Sequence, residues 1–247
     1  MRFQAVGLTD RGLLRPLNED AYFLSAQGGL TDGSPFFLVA DGLGGLAGGA
    51  QASRLAVETV STFLLDSNLP PVERLQESFR QAHLAILAKQ RTSPPFFEMA
   101  TTLTALALSG GSAWVGNVGD SRTYLWRRGV MQQISLDHSW VAEQVQAGTL
   151  SERAARRHPY RNVVTRVLGG PEEPLADIFP LALQPGDRFL LASDGLFGEL
   201  PETILGSLTA SPNLTCAAEE LLQTALDRGG HDNITLILIE LLEVLPP

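Results

Sequence analysis

Short apolar runs, each bounded by Gly, Asp or Pro, recur along the chain and set its predicted secondary structure. Most of these runs are rich in β-branched or aromatic residues, which are typical of strands. They predict strands over residues 3–8, 21–25, 36–40, 102–108, 113–118, 123–126, 188–192 and 234–240. Several strands follow one another between residue 102 and about residue 134, and such short connections imply antiparallel pairing.

Helical periodicity separates the strands. Residues 50–65 carry apolar side chains at Ala52, Leu55, Ala56 and Val60, which is the i, i+3, i+4 spacing of one helix face. The same spacing predicts helices over residues 72–89 and 216–227, and a short helix over residues 151–157. Because strands and helices are grouped rather than alternating, we expect an α+β protein with helices packed outside a pair of sheets.

Residues 137–168 differ from the rest of the chain, and we call them the flap segment. The segment is polar and contains His138, His158 and five arginines. Its simpler interpretation is a surface excursion with two small helices. The alternative is a flap beside a phosphate site, because insertions near active sites often carry specificity.

Composition limits the class of protein. With 247 residues and 44% hydrophobic content, the chain suits a single domain, residues 1–247, with a buried core. The formal net charge of −9 disfavours nucleic acid and anionic membrane as partners. The only cysteine is Cys216, and the sequence contains neither a signal peptide nor a bilayer-spanning run. We therefore expect a cytoplasmic monomer.

Five aspartates stand where a predicted strand meets a loop: Asp20, Asp41, Asp120, Asp194 and Asp232. Each one alone is typical of a tight turn. Together they could converge at one rim of the sheets, where clustered carboxylates would need a cation, because like charges raise one another's pKa. Ligands that are all oxygen atoms favour Mg²⁺ or Mn²⁺.

The glycine-rich stretch "GLGGLA" after Asp41 has three interpretations: a turn, a nucleotide-binding loop or part of a metal site. It matches G-x-G-x-x-A, and Asp66 follows about twenty residues on, as a dinucleotide fold requires. However, Asp41 would face a pyrophosphate, and the continuous helix over residues 50–65 leaves no second strand to present Asp66. In a metal site, Gly42 and Gly195 would let backbone carbonyls approach an ion beside the carboxylates that precede them.

Other phosphate chemistries lack their motifs. The chain has no Walker A sequence, no Asp-x-Asp nucleophile pair, and no HExxH or GxSxG motif. Cys216 is followed six residues later by Leu222 rather than by an arginine, which excludes a thiolate phosphatase loop.

Six motifs in order resemble those of PP2C-type (PPM family) protein phosphatases, in the compact bacterial form of a bare catalytic domain. They are "RPLNEDA", "VADGLGGLAGG", "TTLTAL", "GDSR", "ASDGL" and "HDNIT". The resemblance implies a four-layer α-β-β-α sandwich, in which two central antiparallel β-sheets are flanked by helices. It also implies hydrolysis of phosphoserine and phosphothreonine in proteins by a metal-activated water, without a covalent intermediate.

The resemblance further implies roles for named residues. Asp41 would bridge two Mg²⁺ or Mn²⁺ ions, the Gly42 carbonyl would bind one of them, and Asp194 and Asp232 would complete the other. Asp20 would hold metal-bound water, with Glu19 beside it.

By the same resemblance, Asp120 would share a third, weaker ion with Asp194. Arg15 would clamp the phosphate, and Asn233 and Thr235 would support the metal ligands. The partners implied are phosphoproteins, and the activity would oppose a Ser/Thr kinase.

The sequence departs from the family at three positions. Leu43 stands where eukaryotic members have a histidine and bacterial members often have Met, Leu46 where some bacterial members have a histidine, and Ala100 where Gly is usual. The group that protonates the leaving oxygen is therefore left open between a metal-bound water and a histidine such as His231.

Two hypotheses compete with a phosphatase. One is a catalytically weak phosphoprotein-binding module, which the retention of all five aspartates and Arg15 disfavours. The other is the dinucleotide-binding protein considered above.

Overall fold

The computed structural model describes residues 1–25, 35–44, 48–92 and 97–244. In chain order the strands are β1 (Arg2–Asp10), β2 (Asp20–Leu24), β3 (Phe36–Leu43), β4 (Ala100–Thr101), β5 (Leu103–Ser109), β6 (Ser112–Val118), β7 (Arg122–Arg127), β8 (Val130–Gln133), β9 (Asp177–Ala182), β10 (Arg188–Ala192) and β11 (Ile234–Glu243). They form a five-stranded sheet of order β1-β11-β10-β7-β8 and a six-stranded sheet of order β2-β3-β5-β6-β9, in which β4 pairs with β3. All pairings are antiparallel.

Helices cover the outer faces of both sheets. In chain order the helices are α1 (Gly48–Asp66), α2 (Pro71–Thr92), α3 (Trp140–Gln146), α4 (Glu152–Ala155), α5 (Asp194–Phe197), α6 (Glu202–Thr209) and α7 (Leu214–Asp227). The pair α1 and α2 packs on the six-stranded sheet, whereas α6 and α7 pack on the five-stranded sheet. None of the helices in the described ranges combines the length and hydropathy that crossing a bilayer requires.

Each inner strand contributes side chains to two hydrophobic layers. On β3, Phe36 and Leu38 point to α1 and α2, whereas Phe37 and Val39 point into the layer between the sheets. The residues of β10 and β11 divide in the same way between α7 and the inter-sheet layer. The period of two along a strand therefore explains why these segments are continuously apolar rather than alternating: both of their faces are buried.

The predicted α-β-β-α arrangement is confirmed, and every predicted strand and long helix is present. The strand β9 was not predicted from the sequence, since its residues "DIFPLA" contain a proline. Pro180 is tolerated because β9 is the edge strand of its sheet, where a missing backbone N–H leaves no partner unsatisfied. The helices α5 and α6 were also missed, because four to eight residues carry too little periodicity.

The flap segment contains the two small helices that its sequence predicts. Ser139 and Ser151 cap α3 and α4, and each side-chain hydroxyl accepts a backbone N–H three residues later. The second helix ends at Ala155, earlier than predicted.

The dinucleotide hypothesis lacks the strand that it needs. Asp66 is the last residue of α1, which runs without a break from Gly48, so no second strand presents this carboxylate. Leu46 and the middle of the glycine-rich stretch lie outside the described residues.

Candidate metal centre

The fold brings the five aspartates from both sheets to one end of the sandwich. Asp20 opens β2 and lies directly opposite Asp41 on β3. Asp194 follows β10 at the start of α5, and Asp232 precedes β11. Asp120 lies in the loop that crosses from β6 in one sheet to β7 in the other. The charges of the other four aspartates all act on the carboxyl group of Asp41.

Two threonines after α2 hold the backbone of Asp41. The Asp41 N–H donates to the Thr102 side-chain oxygen over 3.0 Å, while the Thr102 N–H and the Thr101 hydroxyl donate to the Asp41 carbonyl over 2.9 and 2.8 Å. Thr102 also shares a 2.8 Å hydrogen bond with the Ser121 hydroxyl. The backbone of Asp41 is thus fully engaged, and its carboxyl group is free to face the other acids.

Ser193 ties the two sheets together inside the site. Its hydroxyl donates to Asp20 Oδ2 over 2.7 Å and accepts the backbone N–H of Thr235 over 3.0 Å. The side chain is fully buried, so this serine fixes the start of β2 against the ends of β10 and β11.

Asn233 clamps the loop that carries Arg15 and Glu19. Its Oδ1 accepts the Glu19 N–H over 2.8 Å, and its Nδ2 donates to the carbonyls of Arg11 and Leu17 over 2.8 and 2.9 Å. One amide side chain therefore satisfies three backbone groups that lie far away along the chain, and the loop is held against the start of β11.

Arg15 forms an ion pair with one of the acids. Its Nη2 donates to Asp232 Oδ2 over 2.5 Å, and its charge also acts on Asp194 and Asp41. The Arg15 side chain is 47% exposed, compared with 29% for Asp232. A guanidinium at the mouth of the cluster can therefore turn from a carboxylate to an incoming anion.

Burial and mutual repulsion raise the pKa values of four of the aspartates. Burial is the largest cause in each case, followed for Asp41, Asp120 and Asp194 by the charges of neighbouring aspartates. The pKa of Asp194 rises to about 6, that of Asp20 to about 7 and that of Asp120 to about 8. The pKa of Asp41 is raised well above its ordinary value, first by burial and then by the charge of Asp20.

Two buried carboxylate oxygens in the site, Asp20 Oδ1 and Glu19 Oε1, have no hydrogen-bond partner among the residues that the structure describes. Burial also raises the pKa of Glu19. The backbone N–H groups of Gly49 and Ala50, at the start of α1, act in the opposite direction and lower it. Unpartnered buried oxygens and an all-oxygen donor set fit a hard divalent cation. Within the described residues, no three acidic, His or Cys side chains stand as a preformed ligand set, because the acids instead engage Arg15 and one another.

Glycine is required at two positions for steric reasons. A Cβ on Gly42 would lie 2.1 Å from the Gly49 carbonyl oxygen, and one on Gly195 would lie 2.0 Å from that of Asn233. Gly42 therefore lets the end of β3 press against the start of α1, and Gly195 lets α5 press against the chain before β11. Close backbone packing thus accounts for both glycines, whatever the role of their carbonyls.

Arg122 and His138 are parts of the site to which the sequence analysis gave no role, although Arg122 lies in the motif "GDSR" and His138 lies in the flap segment. Arg122, in "GDSR", forms a bidentate ion pair with Asp137 of the flap segment. The charge of Arg122 lowers the pKa of Asp120 and Asp194, and so opposes the effect of burial.

His138 joins the Asp120 loop to the flap segment. The Gly119 N–H donates to His138 Nδ1 over 3.1 Å, so the ring proton lies on Nε2 and donates to Asp177 over 3.0 Å. The His138 N–H donates in turn to the Gly119 carbonyl. The backbone immediately before Asp120 is therefore fixed by a buried histidine.

Leu43, Ala100 and His231 bear on the question of the proton donor. None of them forms a side-chain hydrogen bond with the five aspartates in the described ranges. Leu43 pairs with Ala100 where β3 meets β4, so Ala100 begins a strand that the sequence did not predict. His231 is 65% exposed, and its Nδ1 shares a 2.6 Å hydrogen bond with Glu199.

Comparison with known proteins shows the family to which the chain belongs. Residues 16–235 match the family model for protein phosphatase 2C. The chain belongs to the protein phosphatase 2C family. It is an enzyme, a protein phosphatase of the bacterial PPM type.

Curated relatives match over nearly the whole of this protein phosphatase 2C chain. The serine/threonine phosphatase stp of Listeria monocytogenes is 35% identical over 243 residues, which cover 94% of this chain and 93% of the relative. The serine/threonine protein phosphatase PstP of Mycobacterium tuberculosis is also 35% identical, over 95% of this chain and 44% of PstP.

Solved structures share the sandwich. The crystal structure of the M. tuberculosis phosphatase PstP/Ppp superimposes with a TM-score of 0.90 at 31% identity, covering 98% of this chain and 99% of that one. The catalytic domain of PstP in complex with two manganese ions gives a TM-score of 0.87 at 29% identity, again covering 98% and 99% of the two chains.

We expect the metal-free protein to lose stability as the pH rises from about 5 to about 8. In the folded protein, Asp194, Asp20 and Asp120 hold protons at pH values where the same groups are ionised in the unfolded chain. This stabilisation is complete below the ordinary aspartate pKa of 3.8 and is lost as the pH passes through about 6 to about 8. Thermal unfolding in EDTA, followed by circular dichroism, measures the decline.

The Asp20→Asn variant is the control for this measurement. Asparagine keeps the shape of the side chain but cannot ionise, so the decline should be shallower than in the unsubstituted protein. An unfolding temperature that stays constant or rises over this pH range would contradict the repulsion between the acids.

Proposed function

We propose that this protein phosphatase is metal-dependent and hydrolyses phosphoserine and phosphothreonine in proteins by direct attack of water on phosphorus. The observation that carries the proposal is the convergence of five interacting aspartates and Arg15 at one end of the sandwich. The names of the relatives, serine/threonine phosphatases at about a third identity, support the choice of substrate. We further propose that these phosphoproteins are products of a Ser/Thr kinase.

The residues proposed to hold the ions are those with oxygen donors in the cluster. Asp41 would bridge two ions, with the Gly42 carbonyl on one of them and Asp194 and Asp232 on the other, while Asp20 would orient water. The manganese-bound PstP domain supports Mn²⁺ or Mg²⁺ as the cofactor. When bound, such cations would lower the pKa of a water molecule and offset the charge of the phosphate.

The protein's own groups would bind and orient the phosphoryl group. Arg15 is held at the mouth of the cluster by Asp232 and is half exposed, so it can offer two parallel N–H donors to phosphate oxygens. The Asn233 clamp would keep the Arg15 loop in place during this exchange of partners.

We propose no phosphoenzyme, because two candidate nucleophiles in the described part of the chain are unsuitable. Cys216 is exposed on α7 and is outside the acid cluster. The Ser193 hydroxyl is buried and already donates to Asp20. Water is therefore the nucleophile that remains, and His231, paired with Glu199, is one candidate for protonating the leaving oxygen.

We expect hydrolysis of p-nitrophenyl phosphate and of phosphothreonine peptides to require Mn²⁺ or Mg²⁺ and to stop in EDTA. Loss of a residue that binds the metal directly should lower activity by more than the roughly 10- to 100-fold that is typical when a supporting residue is lost. Asp41→Asn and Asp232→Asn should therefore lower kcat by at least about 100-fold with the circular dichroism spectrum unchanged. Turnover that persists in chelator would exclude the metal-dependent reaction. Phosphopeptide binding without turnover would favour the binding module.

A third, weaker ion between Asp120 and Asp194 is a separate proposal, supported by the charge of Asp194, which raises the pKa of Asp120 after burial has done so. Asp120→Ala should lower activity by about tenfold and remove the weakest site seen by calorimetric Mn²⁺ titration. The two tighter sites should remain. A variant that binds no Mn²⁺ at all would contradict this division between the ions.

Arg15→Ala should raise KM for phosphopeptides by roughly 10- to 100-fold, since a charge-assisted hydrogen bond contributes about 1.5–3 kcal/mol. The effect on kcat should be smaller. Arg11→Ala is the matched control, because Arg11 lies in the same loop but its side chain donates only to the Pro16 carbonyl. Equal KM values for the two variants would remove Arg15 from phosphate binding.

A further inference from the structure

The flap segment is a basic surface on an acidic protein. It holds five arginines and three acidic residues, whereas the formal net charge of the chain is −9. Four of the arginines lie within nine residues and are exposed: Arg153, Arg156, Arg157 and Arg161. We call these four the arginine surface.

The side chains of the arginine surface make no ion pair or hydrogen bond with any residue in the described ranges. This contrasts with Arg166, at the end of the same segment, which reaches Asp177. It also contrasts with Arg127, on β7, which forms a bidentate pair with the buried Asp187. The four guanidinium groups therefore keep their full hydrogen-bonding capacity for a partner outside the chain.

Ring packing holds the arginine surface on a defined base. Trp140 stacks on His158 with the ring centroids 4.8 Å apart, and Tyr160 packs edge-on against both rings at 5.4 and 5.5 Å. The three rings join α3 to the turn that follows α4, so they fix the turn between Arg157 and Arg161. A fixed base lowers the entropic cost of ordering these side chains on binding.

Both ends of the flap segment are anchored beside the acids of the metal centre. At its start, Asp137 pairs with Arg122, and His138 exchanges two hydrogen bonds with Gly119, the neighbour of Asp120. At its end, Leu168 pairs with Thr101, whose hydroxyl donates to the Asp41 carbonyl. The flap segment therefore leaves the sandwich and rejoins it beside the metal centre.

We propose that the arginine surface binds an acidic segment of the phosphoprotein substrate, outside the phosphorylated residue itself. This specificity rests on the proposed phosphatase function. Carboxylates of the substrate would accept charge-assisted hydrogen bonds from the guanidinium groups, while Arg15 and the metal centre engage the phosphate. The surface therefore selects phosphorylation sites with Asp- and Glu-rich surroundings.

Nucleic acid is a less suitable partner for the same four arginines. A chain with an excess of acidic residues repels a polyanion over most of its surface, whereas a short acidic peptide needs to approach the flap segment alone.

The test compares three substrates and two variants. The substrates are p-nitrophenyl phosphate, a phosphothreonine peptide flanked by Asp and Glu, and the same peptide with Asn and Gln instead. The first variant carries Gln at Arg153, Arg156, Arg157 and Arg161. The control variant carries Gln at four arginines outside the flap segment, Arg2, Arg80, Arg91 and Arg128, so both variants change the net charge equally.

The unsubstituted protein should prefer the acidic peptide in kcat/KM. Substitution of the arginine surface should raise KM for that peptide by about tenfold, because several exposed charge pairs are lost and each one contributes a small factor to binding. The value of kcat should be almost unchanged. Hydrolysis of p-nitrophenyl phosphate and of the neutral peptide should not change. The preference should also weaken with added salt, since these charges are exposed.

Each alternative outcome is distinct. No hydrolysis of p-nitrophenyl phosphate by the unsubstituted protein would defeat the proposed function, not the specificity. Hydrolysis with equal KM for the two peptides, or an equal loss in the control variant, would overturn the arginine surface as a binding site. Retention of single-stranded RNA by the unsubstituted protein, but not by the flap variant, together with equal KM values for the peptides, would assign the surface to nucleic acid instead.

Discussion

Repulsion between buried carboxylates is the constraint on which the rest of this structure depends. Five aspartates at one end of a sandwich cannot all be ionised without a compensating charge. The conflict appears at Asp41 and Asp120, whose pKa values are raised first by burial and then by the charges of neighbouring aspartates. The fold tolerates the conflict because three hydrophobic layers stabilise the scaffold independently of the site. Destabilisation of this kind is expected where the protein is built to receive a cation.

The hydrogen bonds around the acids do not neutralise their charge. They hold in place the chain segments that carry the acids, and so oppose the repulsion. Ser193 joins the two sheets, Thr102 holds Asp41, and Asn233 holds the loop of Arg15. None of these neutral side chains can supply a positive charge. They fix the chain segments that carry the acids, so that the carboxylates stay grouped at one end of the sandwich despite their repulsion.

Much of the fold could be predicted from the sequence, because the pattern of apolar residues reflects burial directly. Strands buried on both faces read as continuous apolar runs, and Asp41 and Asp194 stand out because an acid ends each run. The edge strand with Pro180 escaped detection because its stability comes from pairing with β6, which local sequence does not record. Arg122 was present in a recognised motif, but its pairing with Asp137 depends on how the flap segment returns to the sheet.

The position of His138 has a consequence for how such enzymes can diversify. Its ring accepts from Gly119 on one side and donates to Asp177, the first residue of β9, on the other. If one relative received the flap segment of another, the new segment would bring its own residue at position 138. The loop at Gly119 and the strand β9 at Asp177, which contact that residue, would be unchanged. Inheritance of a new flap should be accompanied by matching changes around Gly119 and Asp177, so that recognition and catalysis evolve as a linked pair rather than as interchangeable parts.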